Sequence, residues 1–294
     1  MNELTIEAPA KINIGLEILG RRPDGYHEIR TILAMLDLAD TLTVSVSDHP
    51  GGMDIDGVPA DENLVSRALA AFNARVPGSP PFSWRLIKRI PSAAGLGGAS
   101  SDAAAALVAG NVLSGSPLVN DQLMEISETL GSDIAFFLGD PCALASGRGT
   151  DLSPLPAIGS DVLLIVPRES LPSKTAIMYG NLTASDFSPG ERVAGIVAGL
   201  KAGKSPAAGQ VTNAFSRPLR EAILRTGELQ RALESNRELT YGVSGAGPAH
   251  YVLAPKVSHG ALIEALTARF GDWLSFISTS TRRHRLNSGP GSSS

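Results

Sequence analysis

The chain has 294 residues. At about 150 residues per domain it is long enough for one large or two modest domains whose cores need no metal or disulfide. Charged residues make up only 18%, against a usual share of about 25%, while 31 glycines and 20 prolines exceed the usual proportions of about 7% and 5%. Lys and Arg number 25 against 29 Asp and Glu, a net charge of −4 that offers no attractive field to nucleic acid or an anionic membrane.

Cys142 is the single cysteine and has no partner for an intrachain disulfide. His27, His49, His250, His259 and His284 show no ligand spacing, so no metal held by a cage of side chains is expected. The first residues lack a basic region followed by an apolar core, and no run approaches the roughly 18 apolar residues of a membrane span. The expectation is a protein of a reduced, cytoplasmic setting, with no nucleic-acid or membrane partner.

In chain order, residues 4–18 alternate Ile12, Ile14, Leu16 and Ile18 with Lys11, Asn13, Gly15 and Glu17. That is the period of a half-buried strand, and it puts Lys11 and Asn13 on the face opposite the aliphatic row. Arg22-Pro23-Asp24-Gly25 is a turn signal that sets Tyr26 and His27 directly beside a turn. Leu42, Val44 and Val46 alternate as another strand, and Leu64, Val65, Ala68, Leu69 and Phe72 follow Asn63 at helical spacing. Residues 85–90 read as a strand ending at Pro91. A glycine-rich stretch up to Asp102 then runs into the alanine-dominated residues 103–108, which have high helix propensity.

A helix starting at Asn120 ends near Gly131, and Ser132-Asp133 leads into residues 134–138. Pro154, Pro156 and Gly159 are poor material for helix or strand and mark the domain junction. Beyond it, residues 162–166 form a wholly apolar, buried strand. Ser188-Pro189-Gly190-Glu191 reads as a capping box with proline at the first helical position, predicting a helix over 189–201. Helical patterns cover 218–234 and 258–269, strands cover 251–254 and 273–279, and a glycine loop spans 242–248. The expected class is α+β, with domains over residues 1–155 and 160–284 and a low-complexity, disordered tail over 285–294.

A glycine-rich turn feeding a helix presents backbone N–H groups at the positive end of the helix dipole, the geometry a phosphate needs. Residues 95–102 fit that description, and they also fit an ordinary turn capped by Ser100 or Ser101. They are not a P-loop, which ends in Gly-Lys-Ser/Thr, nor a dinucleotide fingerprint, which needs glycine where Ser100 stands. Taken singly, Asp133 also reads as an N-cap, Lys11 as a solvated strand residue, and Tyr26 and His27 as turn or core residues. The loop over 242–248 also reads as a tight hairpin, and Arg282-Arg283-His284-Arg285 reads as a solvated terminus rather than an anion site.

Together and in this order, Pro9-Ala10-Lys11, the segment Pro91 to Ser101, and Gly242-Val243-Ser244-Gly245-Ala246-Gly247 resemble the three hallmark motifs of the GHMP kinase superfamily. Ala8 to Asn13, Arg22 to His27, Asn63-Leu64 and Gly131-Ser132-Asp133 are similar to the motifs of one branch of it. That branch uses ATP and Mg²⁺ to phosphorylate the 2-hydroxyl of 4-diphosphocytidyl-2-C-methyl-D-erythritol in the non-mevalonate route to isoprenoids. The resemblance runs from about residue 5 to residue 277. It implies an N-terminal domain like the second domain of ribosomal protein S5, a ferredoxin-like C-terminal domain, and an active site in the cleft between them.

The resemblance further implies that Lys11 and Asp133 are catalytic, Asp133 as general base. Pro91, Ser92, Ala93, Ala94, Gly95, Leu96, Gly97, Gly98, Ala99, Ser100 and Ser101 would bind ATP, with Asn63 and Lys88 near the adenine. Asn13, Tyr26, His27, Tyr179 and Gly245 would bind the cytidine diphosphate methylerythritol, with Tyr26 and Tyr179 as stacking faces for the base. Three departures from the family pattern stand out: Ala99 replaces a third consecutive glycine, Ala135 stands where Asp-Val-Pro is usual, and Asn213-Ala214 replaces Asn-Asp. The readings beside this one are another GHMP small-molecule kinase, of mevalonate-pathway or homoserine type, and a non-catalytic nucleotide-binding relative.

Overall fold

A computed structural model of the chain describes residues 1–49, 51–54, 63–169 and 171–285. The tail expected to be disordered lies outside the described residues apart from Arg285. The first sheet contains β1 (Glu3–Arg21), β2 (His27–Val46), β3 (Gly51–Asp54), β4 (Phe82–Ile87), β5 (Cys142–Gly147) and β6 (Asp151–Pro154). Its axis is β2. β1 runs antiparallel along one edge of β2, and the other edge is shared by β4 against residues 41–46 and β5 against residues 29–34.

Helices α1 (Leu64–Arg75), α2 (Gly98–Leu113), α3 (Asn120–Glu128) and α4 (Ile134–Leu138) pack on this sheet. The four consecutive alanines 103–106 of α2 are all fully buried, and their small side chains let the helix lie close to the strands beneath.

The second sheet is antiparallel throughout, in the order β10-β7-β9-β8, from β7 (Asp161–Pro167), β8 (Thr240–Val243), β9 (His250–Leu253) and β10 (Leu274–Ser280). Its helices are α5 (Lys174–Gly180), α6 (Glu191–Lys201), α7 (Ser216–Ala222), α8 (Leu224–Glu234) and α9 (His259–Phe270). One of the apolar clusters that join the two halves brings Ile12, Ile14 and Ile32 from the first sheet against Leu164, Val193, Ile196 and Tyr251 from the second half. The mixed α+β class is therefore observed. Among the described residues no helix is long and apolar enough to cross a membrane.

Several expectations change. The regular alternation over residues 4–18 is broken by a bulge: Asn13 pairs with Leu33 but Leu16 with Thr31, and Gly15 sits at φ 87°. One extra residue inverts the faces of the strand. Ile12 and Ile14 enter the cluster between the halves, whereas Leu16 and Ile18 join Met178, Phe215 and Val243 in another. The strand read at 85–90 occupies Phe82–Ile87, and the helix read at 218–234 splits at Ile223, whose backbone is extended.

The capping box before α6 does not form. The N-cap is Gly190 at φ 81°, and the Ser188 hydroxyl instead donates to Glu17 Oε1 at 2.8 Å. Glu17 Oε2 accepts the Val193 N–H at 2.8 Å, so a buried carboxylate on β1 brings its charge to the positive end of a helix in the other half. The basic segment 282–285 is mostly solvated, as expected, with Arg283, His284 and Arg285 exposed, but it is also paired: Arg282 donates to Glu7 at 2.6 Å and Arg285 to Asp140 at 2.8 Å. The start of β2 and the whole of β5 were not legible as strands, because their continuous burial or small residues hide the period of two.

Candidate active site

β1 carries Lys11 and Asn13 into a cavity of about 350 Å³ at the meeting of the two halves. Lys11 is 4% exposed; its ammonium donates to Asn13 Oδ1 at 2.7 Å and lies 3.7 Å from Asp133 Oδ2. Asn13 Nδ2 donates to the Thr31 hydroxyl at 3.0 Å, which in turn donates to Gly15 O at 2.7 Å. This chain of donors fixes the Asn13 amide with its oxygen toward the lysine. Asp133 is the N-cap residue of α4, but its side chain makes no capping hydrogen bond and is 44% exposed. Its carboxylate lines the cavity instead of folding back onto the helix.

Gly97, at φ 74°, is the N-cap of α2, so neither Ser100 nor Ser101 caps it. The first N–H groups of α2 have no partner within the helix and stand at its positive end. Beside them is a second cavity of about 360 Å³, lined by Asn63, Lys88 and the loop from Pro91 to Ser100. The glycines here serve contact between segments. A Cβ on Gly95 would come 2.3 Å from Ser244 O, one on Gly97 would come 2.9 Å from Lys11 Cγ, and one on Gly245 would come 3.3 Å from Lys11 Nζ. The late loop connects β8 to β9 as a hairpin and docks on the first loop: Ser244 Oγ donates to Gly95 O at 2.9 Å and Ala249 N to Ala94 O at 3.1 Å. Ala99 lies exposed in the first turn of α2, where a Cβ is tolerated.

Asn63 caps α1 by accepting the Val65 N–H at 2.9 Å. Lys88 donates to Asp40 at 2.5 Å and to Asp102 at 2.7 Å, so its charge is already matched by two nearly buried carboxylates. Burial pushes the Asp102 carboxyl up to about 7, with Lys88 opposing and Asp40 reinforcing the shift. Ser101 Oγ and Asp102 Oδ1 are buried without a hydrogen-bond partner.

A third cavity, of about 710 Å³, is lined by Tyr26, His27, Arg148, Thr175 and Tyr179. The His27 and Tyr179 rings lie 5.1 Å apart at 30°, and Phe215 packs edge-on against Tyr179 at 4.9 Å. Tyr26 is 53% exposed, with the Arg148 guanidinium 3.6 Å from its ring centre. Burial, and then the charge of Arg21, lower the His27 pKa, which favours the neutral ring that can both donate and accept. The cavities share walls in series: Gly95, Gly97 and Ser100 line the first two, and Ser132, Thr175 and Tyr179 line both the central one and the aromatic one.

Sequence reasoning missed Lys174, Asn213 and Arg148. Lys174, 8% exposed, donates to Ala93 O at 2.5 Å and to Gly247 O. Its burial, and then the charge of Lys11, bring its pKa down to about 8. Asn213 Nδ2 donates to Val243 O at 2.8 Å and Gly245 O at 2.9 Å, pinning the late loop. The available signals were a lysine five residues before Tyr179 and the Asn213-Ala214 pair, where the family pattern has Asn-Asp.

The GHMP kinases N terminal domain family matches residues 63–140. A 4-diphosphocytidyl-2-C-methyl-D-erythritol kinase of Dehalococcoides mccartyi is 42% identical over 191 residues, 64% of this chain and 67% of that one. The protein of the same name from Geobacter sulfurreducens is 40% identical over 186 residues, 62% of this chain and 66% of that one. A crystal structure of 4-(cytidine 5'-diphospho)-2C-methyl-D-erythritol kinase superposes with a TM-score of 0.77 at 33% identity, covering 94% of this chain and 98% of the other. A homoserine kinase from Cytophaga hutchinsonii gives a TM-score of 0.73 at 18% identity, covering 97% and 96% of the two chains, a likeness of fold alone. The chain belongs to the GHMP kinase superfamily, in the family of the 4-diphosphocytidyl-2-C-methyl-D-erythritol kinases.

Proposed function

We propose that the protein transfers the terminal phosphoryl group of ATP to the 2-hydroxyl of 4-diphosphocytidyl-2-C-methyl-D-erythritol. The observation that carries this reading is the order of the three cavities, with the Lys11–Asp133 pair in the middle one, between a glycine loop at a helix N-terminus and an aromatic pocket. Phosphoryl transfer depends mainly on positioning and charge stabilisation. The backbone of residues 95–101 and the start of α2 hold the nucleotide phosphates. Tyr26 and Tyr179 offer ring faces to the cytosine, and His27 and Asn13 offer polar groups to the substrate.

With the acceptor hydroxyl beside Asp133, the carboxylate takes its proton as the new O–P bond forms and the bond from the terminal phosphorus to the bridging oxygen breaks, with ADP leaving. Lys11, held by Asn13, offsets charge on the transferring group. Mg²⁺ suits these surroundings: the Ser100 hydroxyl and the Asp133 carboxylate are hard oxygen donors lining the central cavity. Ser100 and Asp133 would hold the ion, which would supply positive charge to offset that of the ATP phosphates. Asn63 and Lys88 line the nucleotide cavity, and the family resemblance puts the adenine near them.

The finer division belongs to the same reading: an S5-like domain over 1–155 and a ferredoxin-like domain over 160–284. It is supported by the irregular stretch between β6 and β7 and by the separate sheets with their own helices. A cytoplasmic setting accords with the buried, free thiol of Cys142.

Lys11→Ala and Asp133→Ala test the assignment. General acid–base catalysis contributes about 10²–10⁴-fold, so each should lower kcat by at least about 100-fold while calorimetry still detects ATP binding. Near-wild-type turnover in either variant overturns the role assigned to that residue.

A further inference from the structure

We propose that Lys174 is a positioning residue that couples the nucleotide cavity to the aromatic cavity, so that occupancy of one favours occupancy of the other. The inference rests on the proposed kinase reading and goes beyond it.

Two features make Lys174 costly where it stands. It is a nearly buried lysine and the first residue of α5, where the helix dipole disfavours a cation. The chain reaches it through Ser173 at φ 50°, a left-handed conformation that L side chains rarely adopt. Among the described residues no carboxylate lies within ion-pair distance of it. A lysine serving only to fill space would be better replaced by an aliphatic side chain.

What its ammonium does hold is backbone. One N–H donates to Ala93 O in the phosphate loop, and another donates to Gly247 O in the late loop. Lys174 therefore gathers three segments at one atom: the phosphate loop, the late loop and the N-terminus of α5. The next residue, Thr175, and Tyr179 one turn later line both the central cavity and the aromatic cavity. Ordering the phosphate loop around a nucleotide thus fixes Ala93 O, and through Lys174 it fixes the helix that presents Tyr179. Coupling of this kind is reciprocal, because each ligand meets less ordering once the other is bound.

The groups facing Lys174 are few. Lys11 on β1 is the charged one that acts on it, and the two loops present carbonyl oxygens. Its pKa of about 8 means that the ammonium loses its charge just above neutrality, and with it the stronger form of both hydrogen bonds.

The test is calorimetric binding of the cytidine substrate with and without a non-hydrolysable ATP analogue, beside steady-state kinetics, for the wild type and Lys174→Met. In the wild type the analogue should tighten substrate binding by about 5-fold or more, within the usual range for coupled sites. In the folded variant each ligand should bind alone within about 3-fold of wild type, the enhancement should vanish, and the KM values for both substrates should rise. Wild-type enhancement should also fall as pH rises through about 8, and this limb should be missing in the variant. Enhancement retained in Lys174→Met overturns the proposal, as does a wild type with no enhancement. Should Lys174→Met not fold, Lys174→Leu takes its place in the same titrations, where loss of the enhancement is expected and its retention overturns the coupling. Absence of any turnover of the cytidine substrate by the wild type is a separate result, which sinks the kinase reading itself.

Discussion

Replacing Gly95 by alanine probes the contact on which the site is assembled. A Cβ there would lie 2.3 Å from Ser244 O, against ordinary contact beginning at 3.4 Å, so the two loops must part by about 1 Å. The φ of 87° adds left-handed strain of about 1–2 kcal/mol. Separation would also break the Ser244 Oγ to Gly95 O and Ala249 N to Ala94 O hydrogen bonds, each worth about 1 kcal/mol net. The sum is a loss of about 3–4 kcal/mol in urea unfolding. Because Lys11 N donates to Leu96 O beside the displaced residue, Lys11 shifts too, and on the proposed reading a misplacement of about 1 Å can cost about 100-fold in rate. Ala99→Gly is the matched control: the position is exposed in the first turn of α2, and stability should change by no more than about 1 kcal/mol with kcat/KM within about twofold. A Gly95→Ala protein with wild-type unfolding and wild-type kcat/KM for ATP would refute the close-approach argument.

Glu17→Ala removes the acceptor for Val193 N and Ser188 Oγ, and should cost about 2–3 kcal/mol in urea unfolding; a loss under about 0.5 kcal/mol would contradict the cross-domain cap. His250 is fully buried, which lowers its pKa to about 4 from an ordinary 6.5. The unfolded chain therefore takes up this proton first on acidification, and stability present above pH 6.5 is lost as pH falls toward 4, by about 3 kcal/mol in all. His250→Gln should flatten that part of the stability profile, and an unchanged slope in urea titrations at several pH values counts against it. Tyr179→Ala should raise KM for the cytidine substrate about 10-fold, from the roughly 1–3 kcal/mol of a base stacked on an aromatic ring, and leave KM for ATP within about twofold at saturating cosubstrate. Equal losses for both substrates would argue against a base at this ring.

What was legible in the sequence was local. The glycine loop and the alanine run of α2, the Asp24-Gly25 turn and the turn before Asp133 are each written in neighbouring residues, and the family resemblance put them in one site. Less legible was everything that depends on partners far along the chain. The bulge at Gly15 is visible only against β2, yet it separates the face of Lys11 from that of Glu17. Glu17 caps a helix 176 residues away, while the serine that looked like the cap serves as its hydrogen-bond donor. The resemblance places Lys88 near the adenine, but nothing in its neighbourhood of the sequence shows that it donates to Asp40, 48 residues distant, as well as to Asp102. The motifs placed one lysine in the cleft. The fold brings in Lys174 beside Lys11, through a loop and helix that no periodicity marked.

The most direct measurement is ADP release by the purified protein with ATP and Mg²⁺, comparing 4-diphosphocytidyl-2-C-methyl-D-erythritol with mevalonate and homoserine. The account predicts release with the cytidine substrate and none above background with the other two, since neither carries a base for the aromatic cavity. Release with mevalonate or homoserine but not with the cytidine substrate would contradict it.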